Sequence, residues 1–287
     1  MTAAALLALL AAGREDRVGG GIFEEGSTEK SLATNARLLE QMAEAGLREA
    51  EPELLNAAVR TGDYLVRDMQ SPSGPFWLGE GEDPGDFYRW TCEEAQQVLG
   101  LFSCSALGLS THAALPRGGD AEQLNALYLA RLDRLPPATD TRIDPAANAV
   151  AVSSLARAGS LLAQEHWLEA AERAATALEL RGEAALDLHQ ATGRLHWLEA
   201  GGGPPKTGTI ALIVAGEKAP ERDFFREAVL NQASDELFLL TLTPQELNDL
   251  EGFAISSPKT AQICREGLCE AGTEGLQLWI ETLEALR

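Results

Sequence analysis

Gly201-Gly-Gly-Pro-Pro205 separates two kinds of sequence. Such a run extends neither a helix nor a central strand, because glycine loses the most backbone entropy on ordering and proline lacks an amide donor. After it, Thr209-Ile-Ala-Leu-Ile-Val214 and Glu236-Leu-Phe-Leu-Leu-Thr-Leu242 are continuous apolar runs, the pattern of strands covered on both faces. Thr260-Ala-Gln-Ile-Cys264 is a third strand candidate. Residues 220–232 read as helix, Thr243-Pro-Gln-Glu246 opens a short helix with Thr243 as cap, and Thr273 to Arg287 forms a closing helix. Strands alternating with helices imply a small parallel sheet with right-handed crossovers.

Before the break the period is helical. Residues 1–12 are rich in Ala and Leu and read as a helix that Gly19-Gly-Gly21 interrupts. Leu32, Ala36, Leu39, Ala43 and Leu47 mark one stripe, and Leu54, Leu55, Ala58, Val59, Tyr64, Leu65 and Met69 a second. Phe76 to Trp90 reads as a hairpin or irregular loop around an acidic, Gly-rich stretch, held down by aromatic residues. Thr91 with Glu94 forms a capping box for the next helix, and residues 121–133 form another. Residues 145–163 and 166–180 form a helical hairpin, with Pro145 in its first turn, and a short helix or strand pair runs on to Glu199. The expected organisation is a mainly α domain over residues 1–200 and a small α/β module with a short parallel sheet over 206–287.

Composition narrows the function. Lys and Arg number 23 against 44 Asp and Glu, a net charge of -21, and such a surface repels phosphate backbones and anionic membranes. Nucleic acid is therefore not an expected partner. The N-terminal apolar run is too short to span a bilayer and has no positive residue before it, so neither a transmembrane segment nor an export signal is expected. Four cysteines are too few for a disulfide scaffold, and the expected location is a reducing cytoplasm.

Several short blocks, in order from about residue 14 onward, resemble one family. They are Arg17-Val-Gly-Gly-Gly-Ile-Phe23, Glu29-Lys30 with Asn35-Ala36, and Asp68-Met69 followed by Ser71-Pro-Ser-Gly74 and Phe76. Further along come Phe87-Tyr-Arg-Trp-Thr91 with Glu93-Glu94, Asn148 through Leu155-Ala-Arg-Ala-Gly159, and Cys264-Arg-Glu-Gly-Leu-Cys269. The family joins a thioredoxin-like domain to a six-hairpin α/α toroid and includes the spermatogenesis-associated thioredoxin-like proteins and bacterial relatives. The resemblance implies a partial α/α toroid for the helical part. It also implies pocket positions at Lys30, Asn35, Trp90 and Asn148. The thioredoxin-like domain has no counterpart. Ser27, Ala33 and Thr34 stand where the family has His, Tyr and Asp, and Ala147 and Ala149 stand where it has Trp and Gly.

Toroids of this kind resemble sugar-processing folds, whose chemistry needs two carboxylates, or a histidine, facing one pocket. Glu29, Glu80, Glu82 and Asp83 are the candidates, against the reading of Glu29 as a surface residue and of 80–86 as a solvated loop. Cys264 and Cys269 are candidates for a redox pair, against buried unreactive thiols. The four histidines lack metal-ligand spacing, so neither a metal nor another cofactor is expected. Two functions remain open. One is a non-catalytic scaffold or accessory subunit, whose helix faces, left open by missing hairpins, are covered by another protein subunit. The other is a reduced carbohydrate-active enzyme, glycosidase- or epimerase-like, or a redox-linked one.

Overall fold

The computed structural model describes residues 1–100, 104–203, 209–214, 224–226, 228–229, 237–249, 261–265, 268–269 and 276–284. Over these the chain is mainly helical, and it divides into two compact units, Met1–Glu179 and Leu180–Arg287.

The first unit runs α1 (Ala3–Ala11), β1 (Lys30–Ser31), α2 (Leu32–Arg48), α3 (Pro52–Tyr64), β2 (Gly79–Glu80), α4 (Cys92–Leu99), α5 (Ala121–Arg131), β3 (Thr139–Asp140), α6 (Pro145–Leu161) and α7 (Glu165–Ala177). Thr2 caps α1, which buries Ala3, Leu6 and Leu10 on one stripe. The helix α3 passes into a π-helical turn over Leu65–Met69. The capping box of Thr91 and Glu94 forms as its spacing predicts, and Asp120 with Gln123 makes a second one ahead of α5. Trp90, Leu107, Leu124 and Leu127 build a satellite core under α4 and α5.

Two αα-hairpins, α2–α3 and α6–α7, carry this unit, and α2 packs on α6. They are made alike. Ser31 and Asp144 cap α2 and α6 by accepting from the amide three residues on. Gly46 and Gly159 let the second helix approach: a Cβ would lie 2.7 Å from Leu55 Cδ2 in one hairpin and 3.0 Å from Leu168 Cδ2 in the other. Ala50 and Ala163 turn the chain with φ of 53° in each, a left-handed conformation that costs a non-glycine residue about 1 kcal/mol. Glu51 N–H then closes on Gly46 O and Gln164 N–H on Gly159 O, both at 2.8 Å. One spacing relates all these pairs, so the second hairpin repeats the first. The architecture is mainly α, an array of αα-hairpins followed by a small sheet module.

The second unit holds α8 (Glu183–Thr192), α9 (Leu195–Ala200), β4 (Thr209–Val214), β5 (Leu237–Leu242), α10 (Pro244–Asp249), β6 (Ala261–Arg265), β7 (Leu268–Cys269) and α11 (Leu276–Glu284). The division between units thus falls before α8, earlier than Gly201–Pro205, because Leu198 of α9 packs among Ile210, Leu212 and Leu240 of the sheet. The opposite face carries Ala211, Ile213, Leu239 and Ile263 against Phe225, Val229, Trp279 and Leu283. Both faces are covered, which is why β4 reads as an unbroken apolar run. Thr243 and Glu246 cap α10 reciprocally.

The strand order is β5-β4-β6-β7. β4 and β5 are parallel, in line with the alternating grammar, but β6 runs antiparallel to β4 and β7 antiparallel to β6. An apolar run covered on both faces reads the same for a parallel and an antiparallel neighbour, so composition does not record the direction of β6. Most of the expected 220–232 helix and the ends of the closing helix lie outside the described residues.

Candidate functional site

A buried charge cluster forms in the first unit where the N-terminal turn, β1, β2 and the end of α5 meet. Lys30 Nζ donates to Asp16 Oδ2 and to Gly20 O, both at 2.9 Å, and lies 3.6 Å from Glu80 Oε2. Arg131 Nη1 donates to Asp16 Oδ1 at 3.0 Å and Oδ2 at 2.9 Å. The Tyr64 and Tyr88 hydroxyls both donate to Glu80 Oε2, at 3.0 and 3.1 Å. The ammonium of Lys30 also faces both rings, 4.4 Å from the centroid of Tyr64 and 4.6 Å from that of Tyr88. Two cations and two carboxylates therefore neutralise one another. The side chains of Lys30, Asp16 and Arg131 are 1–3% exposed, and that of Glu80 is 16% exposed.

The Gly19-Gly-Gly21 turn makes this closure possible. A Cβ on Gly19 would collide with the Arg131 guanidinium, one on Gly20 would lie 2.2 Å from Arg60 O, and one on Gly21 would lie 2.7 Å from the Tyr64 ring. Gly20 and Gly21 also take a φ of 84°, which L side chains avoid. Asp16 Oδ1 accepts from the amides of Val18 and Gly19, so the same carboxylate shapes the turn and anchors the cations.

Burial by itself would raise the Asp16 pKa. The nearby Arg131 and Lys30 charges overcome it and bring the value down to about 2. Burial, with the Glu80 carboxylate next, pushes the Tyr64 and Tyr88 phenols above their ordinary range. Both tyrosines therefore remain neutral donors to Glu80.

Glu80 is the one carboxylate among the four candidates that reaches this cluster. The register explains why. Lys30 on β1 is the direct partner of Glu80 on β2, so both point to one side of the sheet. Glu29 lies just before β1 and is exposed. Glu82 accepts from the Ser27 and Thr28 hydroxyls, and its pKa is lowered by those two bonds. Asp83 accepts from the amides of Gly85 and Phe87 and shapes its own loop.

The pocket positions separate in the same way. Lys30 belongs to the cluster. Asn35 accepts from Ile22 N–H at 2.6 Å and donates to Ile22 O at 3.0 Å and Ser31 O at 2.9 Å. Asn148 accepts from Phe76 N–H at 2.7 Å and donates to Phe76 O at 2.9 Å and Asp144 O at 3.0 Å. Both are fully buried clamps on backbone. Trp90 is buried in the satellite core with the Arg134 guanidinium 3.7 Å from its ring centroid. Asp16, Tyr64 and Arg131 were not among the sequence candidates. Asp16 stands directly before the Arg17–Phe23 block, which is the signal that marks it.

Cys264 and Cys269 are direct cross-strand partners on β6 and β7 and form a disulfide, with Cα atoms 3.9 Å apart. Cys92 and Cys104 form a second, with Cα atoms 5.5 Å apart. No cysteine is free, which replaces the buried-thiol reading. Among the described residues no three His, Cys, Asp or Glu side chains converge as metal ligands, and no helix is long and apolar enough to cross a membrane.

No family model matches the chain, and no curated protein matches it. Among solved structures it is similar to a family 76 glycoside hydrolase from a bovine Bacteroides thetaiotaomicron strain, at 13% identity and a TM-score of 0.44. That likeness covers 99% of this chain and 51% of the hydrolase, so the chain spans about half the hydrolase's length. A D-mannose isomerase is similar at 16% identity and a TM-score of 0.25, over 70% of this chain and 68% of the isomerase. Likeness at this level transfers no residue and no activity.

Proposed function

We propose that this protein is a non-catalytic accessory subunit, a partial α/α toroid in which the polar interior holds the fold together. The observation that carries this reading is the mutual compensation of the charges in the cluster. The inward oxygen of Glu80 is engaged by two phenols and faces an ammonium, and the cations beside it are closed off from solvent. Glycosidic chemistry needs a second carboxylate across a substrate. Glu29, Glu82 and Asp83 are exposed or committed to their own turns. Leu129 on α5, and Leu132 and Leu135 in the turn that follows it, are 57%, 58% and 75% exposed, apolar surface of the kind that a partner covers. Membership of the thioredoxin-linked toroid family belongs to the same proposal and rests on the motif blocks.

One observation favours the second reading, a reduced carbohydrate-active enzyme: Glu80 is the least buried member of the cluster. Turnover assays decide between them. Purified protein is incubated with p-nitrophenyl glycosides and free aldoses, followed by absorbance and NMR. The accessory reading expects no conversion above a buffer blank. Conversion that disappears in Glu80→Gln overturns it.

A further inference from the structure

A small open cleft of about 120 Å³ lies in the first unit beside the end of α1, lined by Leu10, Leu115, Glu15, Arg17, Glu53 and Arg117. The floor carries an unfinished polar group. Glu15 is 4% exposed, and Arg60 Nε donates to its Oε1 at 2.6 Å, but its Oε2 has no hydrogen-bond partner. Leaving a buried acceptor unpaired costs about 1–3 kcal/mol, so a donor that enters here is rewarded. Arg17 Nε is 4.0 Å from that oxygen, too far to bond, and it too lacks a partner.

The charges define the ligand. Arg60 matches Glu15, and Glu53 lies 3.9 Å from Arg17. Arg117 is exposed and makes no ion pair among the described residues, which leaves one positive charge uncompensated at the cleft. A zwitterion would not neutralise it, whereas a monoanion does. Guanidinium groups favour a carboxylate, and the free Glu15 oxygen needs a hydroxyl donor. We propose that this cleft binds a small hydroxylated carboxylate of the sugar-acid class, with its carboxylate on Arg117 and Arg17 and a hydroxyl donating to Glu15 Oε2.

The test uses the full chain and D-glucuronate as probe, followed by calorimetric titration and by the shift in Tm. Saturable binding is expected. It should weaken at least tenfold in Arg117→Gln, a surface substitution that leaves the fold intact. Acetate, which lacks hydroxyls, and glucose, which lacks the carboxylate, should each bind at least tenfold more weakly than glucuronate. Absence of glucuronate binding overturns the proposal, as does binding unchanged in Arg117→Gln or matched by acetate or glucose. These outcomes do not depend on whether the Glu80 cluster turns over a substrate.

Discussion

Asn148 repeats Asn35. Each stands four residues after the cap of its helix, accepts from one buried backbone amide, and donates to the carbonyl of the same residue and to that of its cap. The capping residues, the glycines, the turn alanines and the packing leucines of the two hairpins follow at the same spacing. The hairpin is thus a unit that the chain uses twice, and its asparagine fastens the preceding segment to the helix start.

That equivalence sets the first prediction. Asn35→Ala and Asn148→Ala each strand a buried N–H and C=O, of Ile22 in one case and Phe76 in the other. Each should destabilise the protein by about 2–4 kcal/mol, and by similar amounts. Urea unfolding of the two variants checks this. A cost at one site and none at the other would break the proposed repeat.

Lys30 supplies the second. Its ammonium compensates Asp16 and Glu80, so Lys30→Met leaves buried negative charge beside a single remaining cation, Arg131. Breaking a buried pair in this way costs about 3–5 kcal/mol. The double variant Lys30→Met with Asp16→Asn removes both charges and should recover part of the loss. A double-mutant cycle by urea unfolding measures the coupling.

The third concerns acid. Asp16 titrates at about 2 in the folded chain, below its ordinary value of 3.8. Its stabilisation is therefore complete above the unfolded value and is lost as the pH falls through the folded one. The loss should reach about 2 kcal/mol between roughly pH 5 and pH 2. Unfolding midpoints across this range should flatten in Asp16→Asn. An equal acid slope in that variant would assign the loss to other carboxylates.

The fourth concerns the disulfides. Intact mass under non-reducing conditions should lie below the reduced mass by two hydrogens for each of the two bonds. Opening Cys92–Cys104, whose cysteines are 12 residues apart, should cost about 3 kcal/mol by loop entropy. Such bonds persist in oxidising compartments, so their presence in protein taken from its source would argue against the expected cytoplasmic location.

What the sequence disclosed follows the range of the interactions. Capping boxes at Thr91 and Thr243, the proline at the start of α6 and the apolar strands are local signals, and the structure contains them. The cluster is not local. Asp16 and Arg131 are 115 residues apart, and no periodicity links them. Glu29 lies just before β1 and is exposed, whereas Lys30, the first residue of β1, is buried against Glu80. The antiparallel direction of β6 was not legible because an apolar run covered on both faces reads the same in either direction.

The central claim is that the Glu80 cluster holds the fold and performs no reaction. The most direct test measures wild type and Glu80→Gln side by side, for thermal unfolding and for conversion of glycosides and aldoses. The account predicts a lower Tm in Glu80→Gln and no conversion by either protein. Conversion by the wild type that is abolished in a still-folded Glu80→Gln would contradict it.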